Sequence, residues 1–254
     1  MRLGLRGKKA IITGSTRGIG RCIAETMAKE GADVAICSRD PEEVEEVVAE
    51  MRRNHDSRII GGGVNVRDKE KYEQWLVDIA DELGGCDVFV PNVSAGGGFD
   101  SEKNWWKNFE IDVLHTVRGC DALMDHLKEG EGGSIVIIGT TNAVEQFAAP
   151  MAYNAMKAAL ITYSKQLGLF VGHEGVRVNT VSPGPVYFEG GAWEMIKGTQ
   201  EKFYNSIIRK IPRGEMGSPQ EIANVVTFVA SPAASYMNGA NVIVDGGFTK
   251  RVQL

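Results

Sequence analysis

Thr13-Gly14-Ser15-Thr16-Arg17-Gly18-Ile19-Gly20 follows a β-branched run, Ala10 to Thr13, and leads into an amphipathic segment from Arg21 to Glu30. Glycines here let the backbone turn tightly and approach a pyrophosphate, whose charge rests where the first amides of a helix point outward. A glycine motif alone recurs by chance. Its place between a strand and a helix near the start of the chain gives it weight and predicts a dinucleotide-binding βα unit.

The rest of the chain repeats that alternation. Strand-like runs are read at Ala10 to Thr13, Asp33 to Cys37, Arg58 to Val64, Cys86 to Val90, Ser134 to Ile138, Arg177 to Val181 and Ala240 to Val244, with helix-length amphipathic segments between most of them. Seven strands separated in this way predict an α/β fold with one largely parallel, doubly wound sheet and helices on both faces. Two helix starts are plain. Asp40-Pro41-Glu42-Glu43 and Ser218-Pro219-Gln220-Glu221 each supply an N-cap, a proline at the first helical position and an acid at the third. Asp40 is thus read as a cap. The segment from about Tyr187 to Lys210 breaks the pattern with Gly190-Gly191 and clustered aromatics, and is read as a substrate lid inserted into a single domain spanning 1–254.

Composition narrows the class. With 43% hydrophobic and 24% charged residues and a net charge of -5, the chain has a globular make-up and a slight acidity that argues against nucleic acid as a partner. No apolar run approaches the roughly eighteen residues that cross a bilayer. The basic stretch Met1 to Lys9 lacks a following apolar signal region, so a cytoplasmic location and no membrane partner are expected. Cys22, Cys37, Cys86 and Cys120 are too scattered for a metal site or a disulfide framework and read as buried free thiols. His55, His115, His126 and His173 are equally dispersed and read as surface or helix-end residues rather than ligands.

The end of the second strand bears on which nucleotide is bound. An NAD site usually carries an acid here for the ribose hydroxyls, whereas this chain has Ser38 followed by Arg39. Arg17, inside the glycine loop, can reach the same place, and guanidinium groups bind phosphate with paired hydrogen bonds. The alternative is two arginines on a surface loop. Their positions favour NADP(H) over NAD(H).

Tyr153-Asn154-Ala155-Met156-Lys157 sets a phenol and an ammonium four residues apart on a helix read as starting near Ala149, so the two share one face. A cation beside a phenol favours the phenolate and makes tyrosine usable as an acid or base near neutral pH. Taken alone, the pair equally describes a packed ring and a solvated amine.

These motifs in this order resemble the short-chain dehydrogenase/reductase family, in its single-domain form of about 250 residues with a Rossmann-type sheet. The resemblance covers nearly the whole chain. It rests on Thr13 to Gly20, Asn65-Val66 after the third strand, Asn92 after the fourth, Tyr153 to Lys157, Asn179 to Gly184, and Asp245-Gly246-Gly247. It implies hydride transfer between a nicotinamide and a carbonyl or alcohol carbon, with Tyr153 as acid in reduction and base in oxidation and Lys157 tuning the tyrosine and holding the nicotinamide ribose. It assigns the cofactor to Gly14, Ser15, Thr16, Arg17, Gly18, Ile19, Gly20, Ser38, Arg39, Asn65, Val66, Asn92, Tyr153, Lys157, Pro183, Gly184 and Val186. The serine that family members place thirteen residues before the tyrosine falls at Thr140, whose hydroxyl keeps the same donor and acceptor capacity, with Thr141 the neighbouring candidate.

Three places depart from the family pattern. Its helical asparagine, counted from Trp105, falls at Asp112. A main-chain carbonyl there can still hold a relay water, but an ionised carboxylate near Lys157 would favour the ammonium and offset part of its pull on Tyr153. The usual Asn-Asn-Ala-Gly is here Pro91-Asn92-Val93-Ser94, so the loop Ser94 to Asp100 is expected to have its own shape. Where many relatives carry a threonine that steadies the cofactor, this chain has Phe188.

The substrate pocket is expected between Ser94 to Phe99, Asn142 to Phe147, and a lid bearing Tyr187, Phe188, Trp193 and Phe203. These aromatics suit an apolar or ring-bearing ketone or alcohol, although lid-helix packing or subunit contacts explain them equally well. Two other readings remain open: a non-catalytic NADP-binding regulator, supported by Asp112 and the altered loop, and a lyase or epimerase, for which the short C-terminal half leaves little room. The resemblance also implies a homo-oligomer, a dimer or tetramer, joined through long helices near Glu102 to Lys128 and Ala149 to Val171.

Overall fold

The computed structural model describes residues 2–98, 100–130, 132–146 and 150–252. Seven strands, β1 (Lys9–Thr13), β2 (Asp33–Ser38), β3 (Ile59–Gly63), β4 (Val88–Val90), β5 (Ser134–Ile138), β6 (Arg177–Pro183) and β7 (Asn241–Val244), form one sheet in the order 3-2-1-4-5-6-7. Every neighbouring pair is parallel, from Ile11 opposite Ala35 and Phe89 at the centre to Val181 opposite Val242 near the edge.

Alternation along the strands divides the core. Ala10, Ile12, Val34 and Ile36 face one layer, formed with α1 (Gly18–Lys29), α2 (Pro41–Asn54) and α9 (Pro219–Ala230). Ile11, Ala35, Cys37 and Phe89 face the other, where Tyr72, Leu76, Leu123 and Leu160 arrive from α3 (Lys69–Leu83), α5 (His115–Glu129) and α6 (Met151–Val171). A strand buried on both faces must be apolar throughout, which is why these runs read as continuous rather than alternating.

The caps are built as their residue types require. Asp40 accepts from the amides of Glu42 and Glu43 at 3.1 and 3.4 Å, and Ser218 and Glu221 form a reciprocal capping box. Boundaries shift modestly from expectation. The first helix begins at Gly18 rather than Arg21, and β4 starts at Val88 rather than Cys86, just after Asp87, whose carboxylate accepts from the Lys9 amide and the Lys8 ammonium. The expected helix start at Ala149 lies outside the described residues, and α6 is described from Met151.

Helix α4 (Glu102–Asn108), a π-helical turn at Phe109–Leu114 and α5 run on without a break in helical backbone. The segment expected to interrupt the alternation forms two short helices, α7 (Ala192–Thr199) and α8 (Glu201–Ile208), around a small core of Ile207, Ile211, Met216 and Phe248. Among the described residues no helix is long and apolar enough to cross a membrane. The thiols of Cys37, Cys86 and Cys120 are buried and all four cysteines are free.

Candidate active site

Strand order reverses between β1 and β4, and in open α/β sheets ligands bind in the crevice beyond the carboxyl ends of strands at such a switch point. Asn92 knits this point together. Its backbone amide donates to Thr13 Oγ1 at 3.0 Å, and its side-chain amide donates to the carbonyls of Thr13 and Gly14 at 3.0 and 2.8 Å. With its amide donors spent inside the protein, Asn92 shapes the glycine loop. Gly20 lies directly beneath, where a Cβ would stand 2.4 Å from both Gly14 O and Asn92 Nδ2, so no other residue fits without moving the loop.

A cleft of about 1000 Å³ opens here. At one end lie Thr16, Arg17, Ile19, Ser38, Arg39, Asn65 and Val66; at the other lie Thr140, Tyr153, Lys157 and the first turns after β6, Pro183 to Val186. The expected residues thus converge from six separate stretches of chain. Arg17 and Arg39 present guanidinium groups that make no hydrogen bond or ion pair with the described residues, a donor set suited to phosphate. Ser38 is less free than its position implied. Its hydroxyl donates to Glu43 Oε2 at 3.2 Å, so a carboxylate from α2 stands beside the two arginines.

Two loop residues behave differently from the direct contacts expected of them. The Ser15 hydroxyl points inward, donating to Ile12 O at 2.6 Å and accepting from the Cys37 amide at 3.3 Å, which pins the loop to β2. Gly18 is covered by Phe188, whose ring carbons would be 2.8 Å from a Cβ placed there. Of the other expected lid aromatics, Trp193 and Phe203 line the cleft and stack with ring centroids 6.1 Å apart, while Tyr187 turns away to pack edge-on against Tyr204. Phe99 and Phe147, expected in the pocket wall, lie outside the described residues.

Helix α6 carries Tyr153 and Lys157 to the cleft on one face. The ammonium lies 6.0 Å from the tyrosine ring centre, and the phenol oxygen has no hydrogen-bond partner among the described residues. Lys157 is only 3% exposed and donates to Ile138 O at 2.9 Å, which fixes it from the end of β5. Just beyond β5, Thr140 accepts from the Asn142 amide at 3.3 Å, leaving its hydroxyl hydrogen available to the cleft that it lines; Thr141 lines it too.

Asp112 sits in the π turn, fully buried, with Oδ1 3.3 Å from the Lys157 ammonium. The contact is an ion pair whose alignment falls short of a hydrogen bond. One turn on, His115 corrects the surface reading of the histidines. It is buried, its Nδ1 bonds to Ile111 O, and burial together with the Lys157 charge pushes it down to about 3, which keeps the imidazole neutral. Lys107 near the end of α4 and Ile111 in the π turn also line the cleft and were not among the expected residues. Among the described residues no cluster of metal-ligating side chains occurs.

Comparisons with known proteins agree with this geometry. A family model described as enoyl-(acyl carrier protein) reductase matches residues 14–249. The chain is 33% identical over 247 residues to isoepoxydon dehydrogenase of Penicillium expansum, covering 96% of this chain and 95% of that one. Its structure is similar to that of L-sorbose reductase from Gluconobacter frateurii complexed with NADPH and L-sorbose, with a TM-score of 0.91 at 29% identity, covering 99% of this chain and 100% of that one. It is also similar to a short-chain dehydrogenase from Burkholderia cenocepacia in complex with NADP, with a TM-score of 0.86 at 29% identity, covering 98% and 99% of the two chains. With a seven-stranded parallel sheet that reverses at β1 and β4, a glycine loop at that point and relatives along nearly its whole length, this chain belongs to the short-chain dehydrogenase/reductase family of oxidoreductases.

Proposed function

We propose that this protein interconverts a ketone and a secondary alcohol with NADP(H), Tyr153 serving as the acid in reduction and the base in oxidation. The observation that carries this reading is an unpartnered Tyr153 phenol at the cleft, one helical turn before a buried Lys157. When bound, NADP(H) supplies or accepts the hydride. Thr140 donates to the substrate oxygen and orients it, while Tyr153 delivers or removes the proton at that oxygen. Lys157, anchored on Ile138 O, holds a positive charge one helical turn from the phenol.

Gly14, Thr16, Ile19, Gly20, Asn65, Val66, Pro183, Gly184 and Val186 form the cofactor wall in this assignment, with Ser15 and Asn92 fixing the loop from behind. Arg17 and Arg39 would hold a 2'-phosphate. The NADPH and NADP found in the two similar structures support this choice over NAD. Trp193, Ile196 and Phe203 offer one apolar face to the substrate, and Ser94 and Asn142 offer polar anchors, a lining suited to a compact oxygenated carbonyl compound beneath a lid formed by residues 187–210. Exposed Leu169 and Phe170 on α6, at 70% and 73%, support a homodimer or tetramer through that helix.

The test is NADPH oxidation monitored by absorbance across a panel of cyclic, hydroxylated and aromatic ketones, with NADPH affinity measured in parallel. Turnover of one class that disappears in Tyr153→Phe is the expected result. Tight NADPH binding with no turnover across the panel would instead identify a cofactor-binding regulator.

A further inference from the structure

Ala95 lies in the loop on the substrate side of the cleft, and both polar atoms of its backbone are gripped by one helical run. Its amide donates to Asp112 Oδ2 at 3.3 Å, and its carbonyl accepts from Lys107 Nζ at 3.0 Å. Lys107 stands in the last turn of α4 and Asp112 in the π turn, Phe109–Leu114, that continues it, and both reach the same residue of the loop. The other carboxylate oxygen of Asp112 faces Lys157 at 3.3 Å, and its main-chain carbonyl accepts from Thr116 Oγ1 at 2.9 Å. Each oxygen of Asp112 therefore meets a different element.

We propose that Asp112 is a positioning residue that couples the substrate-side loop to Lys157 through the two oxygens of one carboxylate. This rests on the assignment of Lys157 to the reaction. A carboxylate accepts on both oxygens, whereas an asparagine has one acceptor and presents its second polar atom as a donor. An amide at this place must choose between the Ala95 amide and the ammonium, so the charge is what allows both contacts. A buried ammonium also needs a counter-charge, and Asp112 is the acidic side chain in contact with it.

Four further polar or charged groups pack around the pair. His115 on α5 is neutral, Glu110 in the π turn is paired outward with Arg67, Lys107 on α4 is engaged with Ala95 O, and Tyr153 on α6 is the group on which the Lys157 charge acts. Substrate-loop geometry and the field at the phenol are thereby set by the same side chain.

Amide-resolved hydrogen exchange of the loop and steady-state kinetics with NADPH test this. In the wild-type protein the Ala95 amide should exchange at least about ten-fold more slowly than that of Gly97, the loss expected on breaking one charge-assisted hydrogen bond. Asp112→Asn should remove that protection or, where the amide oxygen keeps Ala95, release Lys157; the pH profile of turnover shifts in either case, and kcat falls about ten-fold or more. Lys107→Met should loosen the loop and raise KM while the pH profile stays in place. Rapid wild-type exchange at Ala95 would overturn the proposal without any variant having to fold, as would an Asp112→Asn enzyme with native exchange and an unshifted profile. Loss of activity in Tyr153→Phe reports on the reaction assignment alone, since the exchange measurement needs no turnover.

Discussion

Phe188 lies over Gly18 so closely that a Cβ on the glycine would stand 2.8 Å from two of its ring carbons. The contact joins the segment after β6 to the dinucleotide loop after β1, across the mouth of the cleft. Gly18 also has φ +57, a left-handed conformation that costs an L-residue about 1–2 kcal/mol.

Phe188→Ala is therefore expected to open this contact and speed NADPH release several-fold, with the chemical step little changed. Stopped-flow fluorescence of bound NADPH measures it. An unaltered release rate would mean that the ring does not gate the cofactor.

Gly18→Ala should act in the same direction on binding and also lower stability, since it adds both the steric conflict with Phe188 and the backbone strain. Urea unfolding of the two variants separates the effects: Gly18→Ala loses about 1–2 kcal/mol from strain alone, a loss Phe188→Ala does not share.

Tyr153→Phe removes the proposed proton donor while keeping the ring. A general acid contributes about 10²- to 10⁴-fold, so kcat for ketone reduction should fall within that span with NADPH affinity nearly intact. Activity within a few-fold of wild type would refute the role.

Arg39→Asp replaces an unpartnered cation at the cleft with a carboxylate able to accept from ribose hydroxyls. A charged hydrogen bond contributes about 1.5–3 kcal/mol, and the NADP-to-NAD ratio of kcat/KM should fall by about ten- to a hundred-fold. An unchanged ratio would place the phosphate elsewhere.

His115 makes stability depend on pH. Held neutral by burial down to about 3, it takes up a proton only on unfolding throughout the interval below its ordinary value of 6.5. The unfolded state then binds more protons, so stability is full above pH 6.5 and falls by up to about 1.4 kcal/mol per unit as the pH drops toward 3. Urea unfolding of His115→Gln at pH 7 and pH 5 should show a smaller difference than wild type; an equal difference would assign the acid sensitivity to other groups.

The seven strands, their parallel arrangement and the capped helices at Pro41 and Pro219 were legible because each rests on local signals: β-branched runs, glycine between strand and helix, and Asp-Pro or Ser-Pro before an acid. The site was legible as a set of positions, since Tyr153 and Lys157 share a helix face and the loops follow strand ends. What escaped was orientation. Ser15 and Asn92 belong to the expected set, yet their hydrogen bonds run into the protein, because buried polar atoms must find partners and the nearest were backbone groups of β1 and β2.

The sequence by itself determined the fold class and the order in which a dinucleotide loop, a hydroxyl and a tyrosine–lysine pair reach the carboxyl edge of the sheet, since periodicity and turn chemistry are properties of neighbouring residues. Only the tertiary structure decided that Phe188 covers Gly18, that Glu43 stands by Ser38, and that Asp112 meets both Lys157 and Ala95. The first joins residues far apart in the chain, the second turns on which way a side chain at the start of α2 points, and the last brings a loop and two helices to one carboxylate in a π turn that no local pattern marks.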